Sequence, residues 1–346
     1  MKTRAAILVE LRKPLQLAEL AVPALQPGQV LVEIYYSGVC HTQLGEWLGQ
    51  RGPDPYLPHC LGHEGSGRVL DIGPGVTRCR PGDPVVLSWI KGPGMQVAGT
   101  VYDWNGQPVN AGGVTTFSCH SVVSENRVTV IPGELPLRVA ALLGCAIPTG
   151  CGAILNTAGV RAGQSVAVLG AGGIGLCAIM AAAVAGADPV VAIDVEPRRL
   201  ELARQVGATH TLDSRGEEPL AALRRLLPGG LDVAIEASGR PEVMRLALAA
   251  VRNQGGKAVV VGNAPFGEHL QLDPRELNQG KQLLGTWGGD NDPPRDFPRY
   301  ARLILSGRLP AERLLEREYS LPEINSALED LQARRVARPL VNMSAA

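Results

Sequence analysis

The sequence has no excess charge of either sign, because 33 basic and 33 acidic side chains balance within its 346 residues. It also has no run of Lys or Arg, which argues against nucleic acid or an anionic membrane as a partner. The most apolar helical stretch, 177–187, is too short to span a bilayer. The first residues lack the apolar segment of a secretory signal. We therefore expect a cytoplasmic protein that acts on a small molecule.

Closely spaced cysteine pairs are missing as well. The chain has seven cysteines, an odd number, and no CxxC pattern, which argues against a disulfide framework. Reduced thiols are expected, and a few of them are candidates for metal ligands. The cysteines lie at positions 40, 60, 79, 119, 145, 151 and 177.

Glycine and proline are abundant, with 42 and 27 residues, and before residue 150 they separate short β-rich runs. From about 148 to 287, apolar β-rich runs alternate with helical patterns, which is typical of a parallel sheet with right-handed crossovers. After 288 the pattern favours helices and closes on the strand-like RPLVNM. The length of the chain suits two domains.

The polar segment 90–113 fits neither pattern. It carries Tyr102 and Trp104 in a chain with only 4% aromatic residues. A loop of this length in a compact domain is usually functional or mobile, so we expect a long loop here. Its residues 103–107 offer hydrogen bonds to a hydroxylated ligand.

A glycine-rich turn, GAGGIG at 170–175, follows the apolar run SVAVL and opens a helical pattern. Gly170 suits a tight bend, Gly172 lets the backbone approach a pyrophosphate, and Gly175 allows close packing of helix and strand. The helix N-terminus would offer free N–H groups to phosphates. GxGxxG alone is a weak signal in a glycine-rich chain, and a turn without any ligand is the alternative.

Asp194 strengthens the dinucleotide interpretation because it ends the next apolar run, VVAIDV. A carboxylate at this position accepts hydrogen bonds from the adenosine ribose and repels a 2′-phosphate, so the sequence favours NAD over NADP. Arg198 and Arg199 oppose this preference, since an arginine can accommodate the phosphate. We give more weight to Asp194.

Three residues are candidate zinc ligands: Cys40 in GVCHT, His63 in GHEGSG and Cys145 in GCAIPTG. A catalytic zinc takes three ligands from Cys, His or carboxylate and keeps one position open. Taken singly, each residue has a simpler interpretation. A lone cysteine is usually a small core residue, and a lone histidine more often satisfies a backbone hydrogen bond.

Taken together and in order, GVCHT, GHEGSG with VLDIGPGVTRCRPGD, TTFSCHSVV, GCAIPTG, and GAGGIG with AIDVEPRRLELARQVGA resemble the zinc-dependent medium-chain alcohol dehydrogenase family. The resemblance covers essentially the whole chain. It implies an α/β protein with a Rossmann doubly wound parallel sheet and a GroES-like, mostly β catalytic domain. It places the NAD-binding domain at 148–287 and the catalytic domain at 1–147 and 288–346.

The resemblance also implies roles for single residues. Catalytic zinc would be bound by Cys40, His63 and Cys145, with Glu64 as an outer or occasional fourth ligand, and Thr42 would bond the alcohol oxygen and pass its proton outward. Zinc lowers the pKa of bound water, and we expect the same of an alcohol, whose hydride passes to the nicotinamide. The implied coenzyme-binding residues are His41 and Arg338 at the pyrophosphate, Arg199 near the adenosine ribose, and Thr149, Gly170, Gly172, Gly173, Ile174, Gly175, Asp194 and Val261.

The chain departs from the family in three places. No cysteine lies at 90–105, where most members hold a structural zinc, so we expect one zinc per chain. Gln43 stands where the family usually has an aspartate that bonds the zinc-binding histidine, and an uncharged amide makes that ligand less basic. Gly45 stands where some members end a proton relay with histidine. The proton must then leave through the ribose, water or a residue such as Glu46, although an exposed glutamate is normally only solvated.

Three functions follow from these observations. The first is a zinc- and NAD(H)-dependent alcohol dehydrogenase or carbonyl reductase. Simple alcohols, glutathione adducts, and polyols, cyclitols or sugars remain open as its substrates. The second is a zinc-free, quinone-reductase-like enzyme, and the third is a coenzyme-binding protein without activity. The resemblance further implies a homodimer or homotetramer, because members usually pair through the nucleotide-binding sheet.

Overall fold

A computed structural model describes residues 1–345. The chain divides into two compact units. Unit 1 comprises Met1–Cys145, Asp292–Leu305 and Leu315–Ala346, and unit 2 comprises Ala146–Asn291 and Ser306–Leu314. The boundaries expected from the sequence, at 147/148 and 287/288, lie two to four residues away, but 306–314 was expected in the first domain.

The strands are mostly short, and most of them contain buried residues. In chain order they are β1 Lys2–Leu8, β2 Gln16–Ala21, β3 Gln29–Gly38, β4 His59–Cys60, β5 Glu64–Ile72, β6 Pro84–Ser88, β7 Val101–Trp104, β8 Gln107–Asn110, β9 His120–Ser124, β10 Val128–Val130, β11 Val166–Leu169, β12 Val190–Asp194, β13 His210–Asp213, β14 Val233–Glu236, β15 Lys257–Val260, β16 Gln282–Gly285, β17 Glu318–Ser320 and β18 Leu340–Asn342.

The α-helices fall mainly in unit 2. In chain order they are α1 His41–Trp47, α2 Leu137–Ala140, α3 Ala146–Gly152, α4 Gly173–Val184, α5 Pro197–Gln205, α6 Pro219–Leu226, α7 Pro241–Ala250, α8 Pro274–Asn278, α9 Pro293–Leu305 and α10 Ile324–Gln332. Five of them, α5 to α9, start with proline, which lacks the N–H that the first turn of a helix leaves unbonded.

Unit 1 is built from two β structures. Strands β1, β2, β7, β8 and β4 close into a small barrel, and the other sheet runs β10-β6-β5-β3-β18-β17, with β9 also paired to β3. The longest strand, β3, lies in the middle of this second sheet, and Val30 and Val32 on it are fully buried. Each such side chain contributes about 1.5–3 kcal/mol through burial. The mostly β character predicted for this part of the chain is confirmed.

The prediction of a long loop at 90–113 was wrong for its second half. Residues 101–110 form the hairpin β7–β8, which closes the barrel through pairing with β2 and β4. Tyr102 is buried in the barrel, and its hydroxyl accepts a hydrogen bond from the N–H of Val122. The Asp103 carboxylate accepts one from Gly106 N in the hairpin turn. The pattern was missed because both partner strands lie far away in sequence.

Unit 2 contains a six-stranded parallel sheet in the order β13-β12-β11-β14-β15-β16. The chain therefore starts in the middle of the sheet and winds outward in both directions, which is the strand order of a doubly wound dinucleotide-binding sheet. The central strand β11 is buried along its whole length, as expected for a strand covered on both faces. The predicted parallel sheet is confirmed.

Within residues 1–345, no single helix is long and apolar enough to cross a membrane. The helical segments Leu137–Gly144 and Ala146–Ala158 reach that length and composition only as a pair, bent by 56° at the break between them.

Candidate active site

The structure brings Cys40, His63 and Cys145 together in unit 1. One ligand atom from each lies within 4.8 Å of the others. Cys40 immediately precedes α1, His63 immediately precedes β5, and Cys145 follows a short 3₁₀ turn. A tetrahedral zinc with bonds of about 2.0–2.3 Å needs its ligand atoms within a few ångströms of one another. The three side chains meet this requirement with little rearrangement.

Backbone packing delivers Cys145 to His63. Ser88 on β6 pairs with Glu64 on β5, and the Ser88 hydroxyl donates to the carbonyl of Gly144 at 2.6 Å. A Cβ on Gly144 would lie 2.6 Å from the Glu64 Cα, so only glycine allows the turn to approach β5 this closely. The position of Cys145 thus depends on the register between β5 and β6, two strands that lie much earlier in the chain.

The donor set fits zinc on two grounds. Two cysteines and one histidine are a ligand set of catalytic zinc sites, and the fourth position is left for substrate. The Nε2 atom of His63 is buried and has no hydrogen-bond partner within the described chain. A buried imidazole nitrogen without a partner is costly unless it is a ligand, because buried polar atoms are nearly always bonded.

The electrostatics of the group formed by Cys40, His63 and Cys145 also favour a bound cation. The hydrogen bond between the two thiols lowers the pKa of Cys40 well below its ordinary value and raises the pKa of Cys145 well above it. The positive charge of Arg338 acts to lower the pKa of both thiols. A metal ion held by Cys40, His63 and Cys145 would stabilise both sulfur atoms as thiolates.

Gln43 contacts His63, as expected from the sequence. Its Nε2 atom faces His63 Nδ1, and its Oε1 atom accepts a hydrogen bond from the N–H of Cys40 at 3.2 Å. The amide NH₂ can donate to Nδ1 only when Nδ1 carries no proton. A metal on Nε2 requires the proton to be on Nδ1, so the amide must then turn its oxygen towards His63 and lose the bond to Cys40 N.

We expect Gln43→Asp to tighten zinc binding by about 10-fold or more, the usual scale of such outer interactions. A carboxylate has acceptors for both the Nδ1–H of His63 and the N–H of Cys40, whereas the amide serves only one of them. The measurement is competition for zinc with a chelator of known affinity, followed by metal analysis. Gln50→Asp, on the exposed turn after α1, is the charge-matched control. Equal zinc affinity in wild type and Gln43→Asp would refute this role of the amide.

Glu64 and Arg338 form a buried ion pair beside the metal group. They are 0% and 2% exposed, and Arg338 Nη2 contacts Glu64 Oε1. Burial lowers the pKa of Arg338, but Glu64 and the two thiols outweigh this effect and hold it well above its ordinary value. The structure therefore places Arg338 at the metal group. Its predicted role at the coenzyme pyrophosphate stays a prediction, as does metal ligation by Glu64.

The glycine turn of unit 2 has the conformation that its sequence suggested. Gly170 has φ +101°, a region that side chains disfavour. A Cβ on Gly175 would overlap the carbonyl oxygen of Gly170, so helix α4 packs directly against the end of β11. Asp194 at the end of β12 accepts hydrogen bonds from Ala171 N at 2.7 Å and from Glu196 N at 2.9 Å. The carboxylate is thus fixed beside the turn.

Two predicted coenzyme residues of unit 2 carry buried polar atoms without partners in the described chain. They are the hydroxyl of Thr149 and the Nε and Nη2 atoms of Arg199. Arg199 reaches towards Gly172, where a Cβ would lie 3.8 Å from Arg199 Nη1. Donors left unbonded around a glycine turn fit a polyanionic ligand. The other predicted positions lie on the turn, on α4, after β15 and on α1: Gly172, Gly173, Ile174, Val261 and an exposed His41.

Trp89 was not predicted from the sequence. It directly follows Ser88, the residue paired with Glu64, and its side chain is half-buried. Its carbonyl oxygen accepts a hydrogen bond from Arg127. The apolar run of β6 indicates a strand here, but nothing in the sequence pairs that strand with β5.

Comparison with known proteins agrees with this architecture. Residues 26–133 match the alcohol dehydrogenase GroES-like domain, and residues 173–306 match the zinc-binding dehydrogenase family. An S-(hydroxymethyl)glutathione dehydrogenase of Synechocystis sp. is 33% identical, with 99% of this chain and 100% of that protein covered. The chain belongs to the zinc-type medium-chain alcohol dehydrogenase family. The resemblance found in the sequence is confirmed.

Two solved structures share the fold of this family member over nearly its full length. Benzyl alcohol dehydrogenase from Acinetobacter calcoaceticus has a TM-score of 0.91 and 33% identity, with 99% of each chain covered. An alcohol dehydrogenase zinc-binding domain protein from Burkholderia ambifaria has a TM-score of 0.92 and 31% identity, again with 99% of each chain covered. The predicted fold class, a Rossmann sheet with a GroES-like domain, is confirmed.

Proposed function

We propose that the protein is a zinc- and NAD(H)-dependent alcohol dehydrogenase that also runs in the direction of carbonyl reduction. The observation that carries this proposal is the buried group of Cys40, His63 and Cys145, with His63 Nε2 left without a partner in the described chain. When bound, zinc supplies a Lewis acid for the substrate oxygen and NAD supplies the hydride acceptor.

The chain's own residues would divide the remaining work. Gln43 orients the His63 ring, and the Glu64–Arg338 pair balances charge beside the thiolates. The Thr42 hydroxyl lies 3.8 Å from Cys40 Sγ, where it can bond the substrate hydroxyl and relay its proton to a further acceptor. In unit 2, the glycine turn would bind the pyrophosphate and Asp194 the adenosine ribose.

An aromatic primary alcohol is the substrate class that we favour. Trp89 is half-buried and follows the residue that pairs with Glu64, so its indole would offer an apolar, flat surface to a ring. A structural relative acts, by its name, on benzyl alcohol, and a sequence relative on S-(hydroxymethyl)glutathione. The polyol alternative loses its main support, because the polar residues 103–107 form the turn of the hairpin β7–β8.

The deciding experiment is a screen of NAD⁺ reduction on zinc-replete protein purified without chelator. The substrates are benzyl alcohol, formaldehyde with glutathione, butanediols, polyols and cyclitols. We expect the highest kcat/KM with benzyl alcohol and about one zinc per chain. Activity without zinc would favour the quinone-reductase-like alternative. NADH binding without turnover of any substrate would favour a coenzyme-binding protein without activity.

Coenzyme choice gives a separate prediction. We expect Asp194→Asn to weaken NADH binding and to shift the NADH/NADPH preference by about 10- to 100-fold towards NADPH, the scale of one charged hydrogen bond. The amide no longer repels a 2′-phosphate, and Arg199 lies close to the turn. The Kd values follow from nicotinamide fluorescence. Glu201→Gln, an exposed charge change on α5, is the control, and an unchanged preference in Asp194→Asn would contradict the assignment.

We propose a homodimer or homotetramer that pairs through β16. This strand is an edge of the six-stranded sheet, so its outer backbone groups are available for pairing. Trp287, two residues beyond it, is 76% exposed. We expect Trp287→Asp to lower the mass measured by light scattering after size exclusion, whereas Leu226→Asp on α6 leaves it unchanged. A wild-type monomer at micromolar concentration would refute this proposal.

A further inference from the structure

Helix α1 connects the metal group to a glutamate that has no role so far. Thr42 and Glu46 are four residues apart on this helix, so their side chains share one face, with about 5–6 Å between their Cβ atoms. At the start of that face, the Thr42 hydroxyl lies 3.8 Å from Cys40 Sγ. The face therefore runs from the candidate metal site, past the hydroxyl that would contact the substrate, to the carboxylate of Glu46.

Glu46 is not a freely solvated surface residue. Its side chain is only 27% exposed, and Oε1 lies 3.4 Å from Nη1 of Arg51. His59 also acts on it and is itself bonded to Asp54, from His59 Nε2 to Asp54 Oδ2 at 2.8 Å. On its inner side Glu46 feels the charges of two metal-site residues, Cys40 and His63. The carboxylate is thus within electrostatic reach of both the metal group and a set of charged side chains that includes Arg51.

The surroundings of Glu46 shift its pKa upwards, in the direction that favours proton uptake. Burial raises the pKa of Glu46, and Cys40 adds to this effect, while His63, Arg51 and His59 oppose it. A general base transfers protons best when its pKa is close to the working pH. Helix α10 also packs on α1, but its two acidic residues do not compete for this proton. Asp330 is paired with Arg317 and Arg335, and Glu329 is exposed.

Gly45 leaves the neighbouring position empty. A Cβ built there would find only Arg51 Cγ at 3.8 Å and Gln50 Oε1 at 4.0 Å, so the space beside Glu46 is open. No side chain at 45 can accept a proton, and the next carboxylate along the helix face after Thr42 is Glu46. A water molecule between the Thr42 hydroxyl and the Glu46 carboxylate would let a proton pass from one to the other.

We propose that Glu46 accepts the proton that leaves the substrate hydroxyl through Thr42 and releases it to solvent past Arg51 and His59. The O–H bond of the alcohol breaks, its electron pair stays on the substrate oxygen, and an O–H bond forms on the Glu46 carboxylate. That proton then passes to water, while the hydride leaves the carbon for the coenzyme. This inference rests on the proposed function, because it requires an alcohol as substrate.

The test compares wild type with Glu46→Gln, which keeps size and hydrogen bonding but cannot accept a proton. The first readout does not depend on turnover: proton release when NAD⁺ and the unreactive alcohol trifluoroethanol bind, followed by stopped flow with a pH indicator. We expect its rate to fall by about 100-fold, the usual contribution of a positioned base. The second readout is kcat against pH, in which we expect the acidic limb to disappear. Formate should restore part of the rate in Glu46→Ala.

The controls separate failure of this inference from failure of the proposed function. Glu10→Gln, an exposed change in the same unit, should behave as wild type, and zinc content and NADH affinity should be equal in all variants. An active wild type with the same proton-release rate and pH profile in Glu46→Gln would overturn the role of Glu46. A wild type that reduces no NAD⁺ with any alcohol would overturn the proposed function instead.

Discussion

Replacing Cys145 with alanine is expected to remove zinc from the protein and to lower alcohol oxidation by about 1,000-fold or more. Cys145 is one of two thiols in a three-residue donor group, and it is only 4% exposed. Two remaining ligands hold zinc far more weakly than three, and a Lewis acid is worth several kcal/mol to the reaction. Metal analysis by mass spectrometry and the NAD⁺ reduction assay measure the two effects.

Cys119→Ala is the matched control for Cys145→Ala. Cys119 is also in unit 1, but it is half-buried and is not part of the metal group. We expect full zinc content and activity in this variant. NADH binding should survive in Cys145→Ala, because the glycine turn belongs to unit 2. Stoichiometric zinc in Cys145→Ala would show that the metal binds elsewhere, and full activity without zinc would remove the metal from the mechanism.

Replacing Glu125 with alanine is expected to destabilise unit 1 by about 3 kcal/mol. The Glu125 side chain is buried and accepts hydrogen bonds from Thr77 N at 2.6 Å, Arg78 N at 2.8 Å and Met95 N at 2.7 Å. Alanine leaves three backbone donors without their partner, and each costs about 1 kcal/mol or more when buried. Urea unfolding measures the loss, and Glu134→Ala at an exposed site should change little.

Glu125 contacts the segment 90–105, which contains no cysteine. It ties residues 77–78 to Met95 in the segment that holds a structural zinc in most family members, so a carboxylate organises this segment here. Hydrogen exchange should therefore rise at 92–97 in Glu125→Ala. Unchanged unfolding and exchange would show that other contacts hold the segment.

The same contacts give this stability a pH dependence. Burial alone would raise the pKa of Glu125, but the N–H groups of Met95, Thr77 and Arg78 outweigh it and hold the pKa below its ordinary value. A depressed folded-state pKa stabilises the protein above the unfolded pKa of about 4.3, and this contribution is lost as the pH falls through the lower folded value. Glu125→Gln should remove this part of the acid sensitivity.

The sequence carried much of the candidate site because each part of it has a local signal. Short motifs contain the glycine turn, Asp194 and Cys40. Each motif can be recognised because it depends on interactions between residues close together in sequence. The structure places the three predicted ligands together although His63 and Cys145 lie far apart in sequence. Their order within the family resemblance, and not their spacing, predicted that meeting.

Other features had no local signal. The hairpin β7–β8 looked like a loop because β2 and β4, its partners, come from distant parts of the chain. Trp89 gained its position from the pairing of Ser88 with Glu64, and the buried ion pair between Arg338 and Glu64 joins residues that lie far apart in sequence. Strand register and buried ion pairs are contacts between distant residues, so a single sequence does not encode them as a pattern.

By itself, the sequence determined the class of the protein, its parallel dinucleotide-binding sheet and the chemical types of its ligands. Hydrophobic periodicity, the conformational freedom of glycine and the chemistry of metal-ligand side chains are properties of short segments, so they can be recognised in a sequence alone. Only the tertiary structure decided which polar atoms, such as His63 Nε2, lack partners in the described chain. It also decided that Cys40 N bonds to the amide oxygen of Gln43, and that Glu46 shares a helix face with Thr42. Those facts depend on burial and on contacts between distant segments, which exist only once the chain is folded.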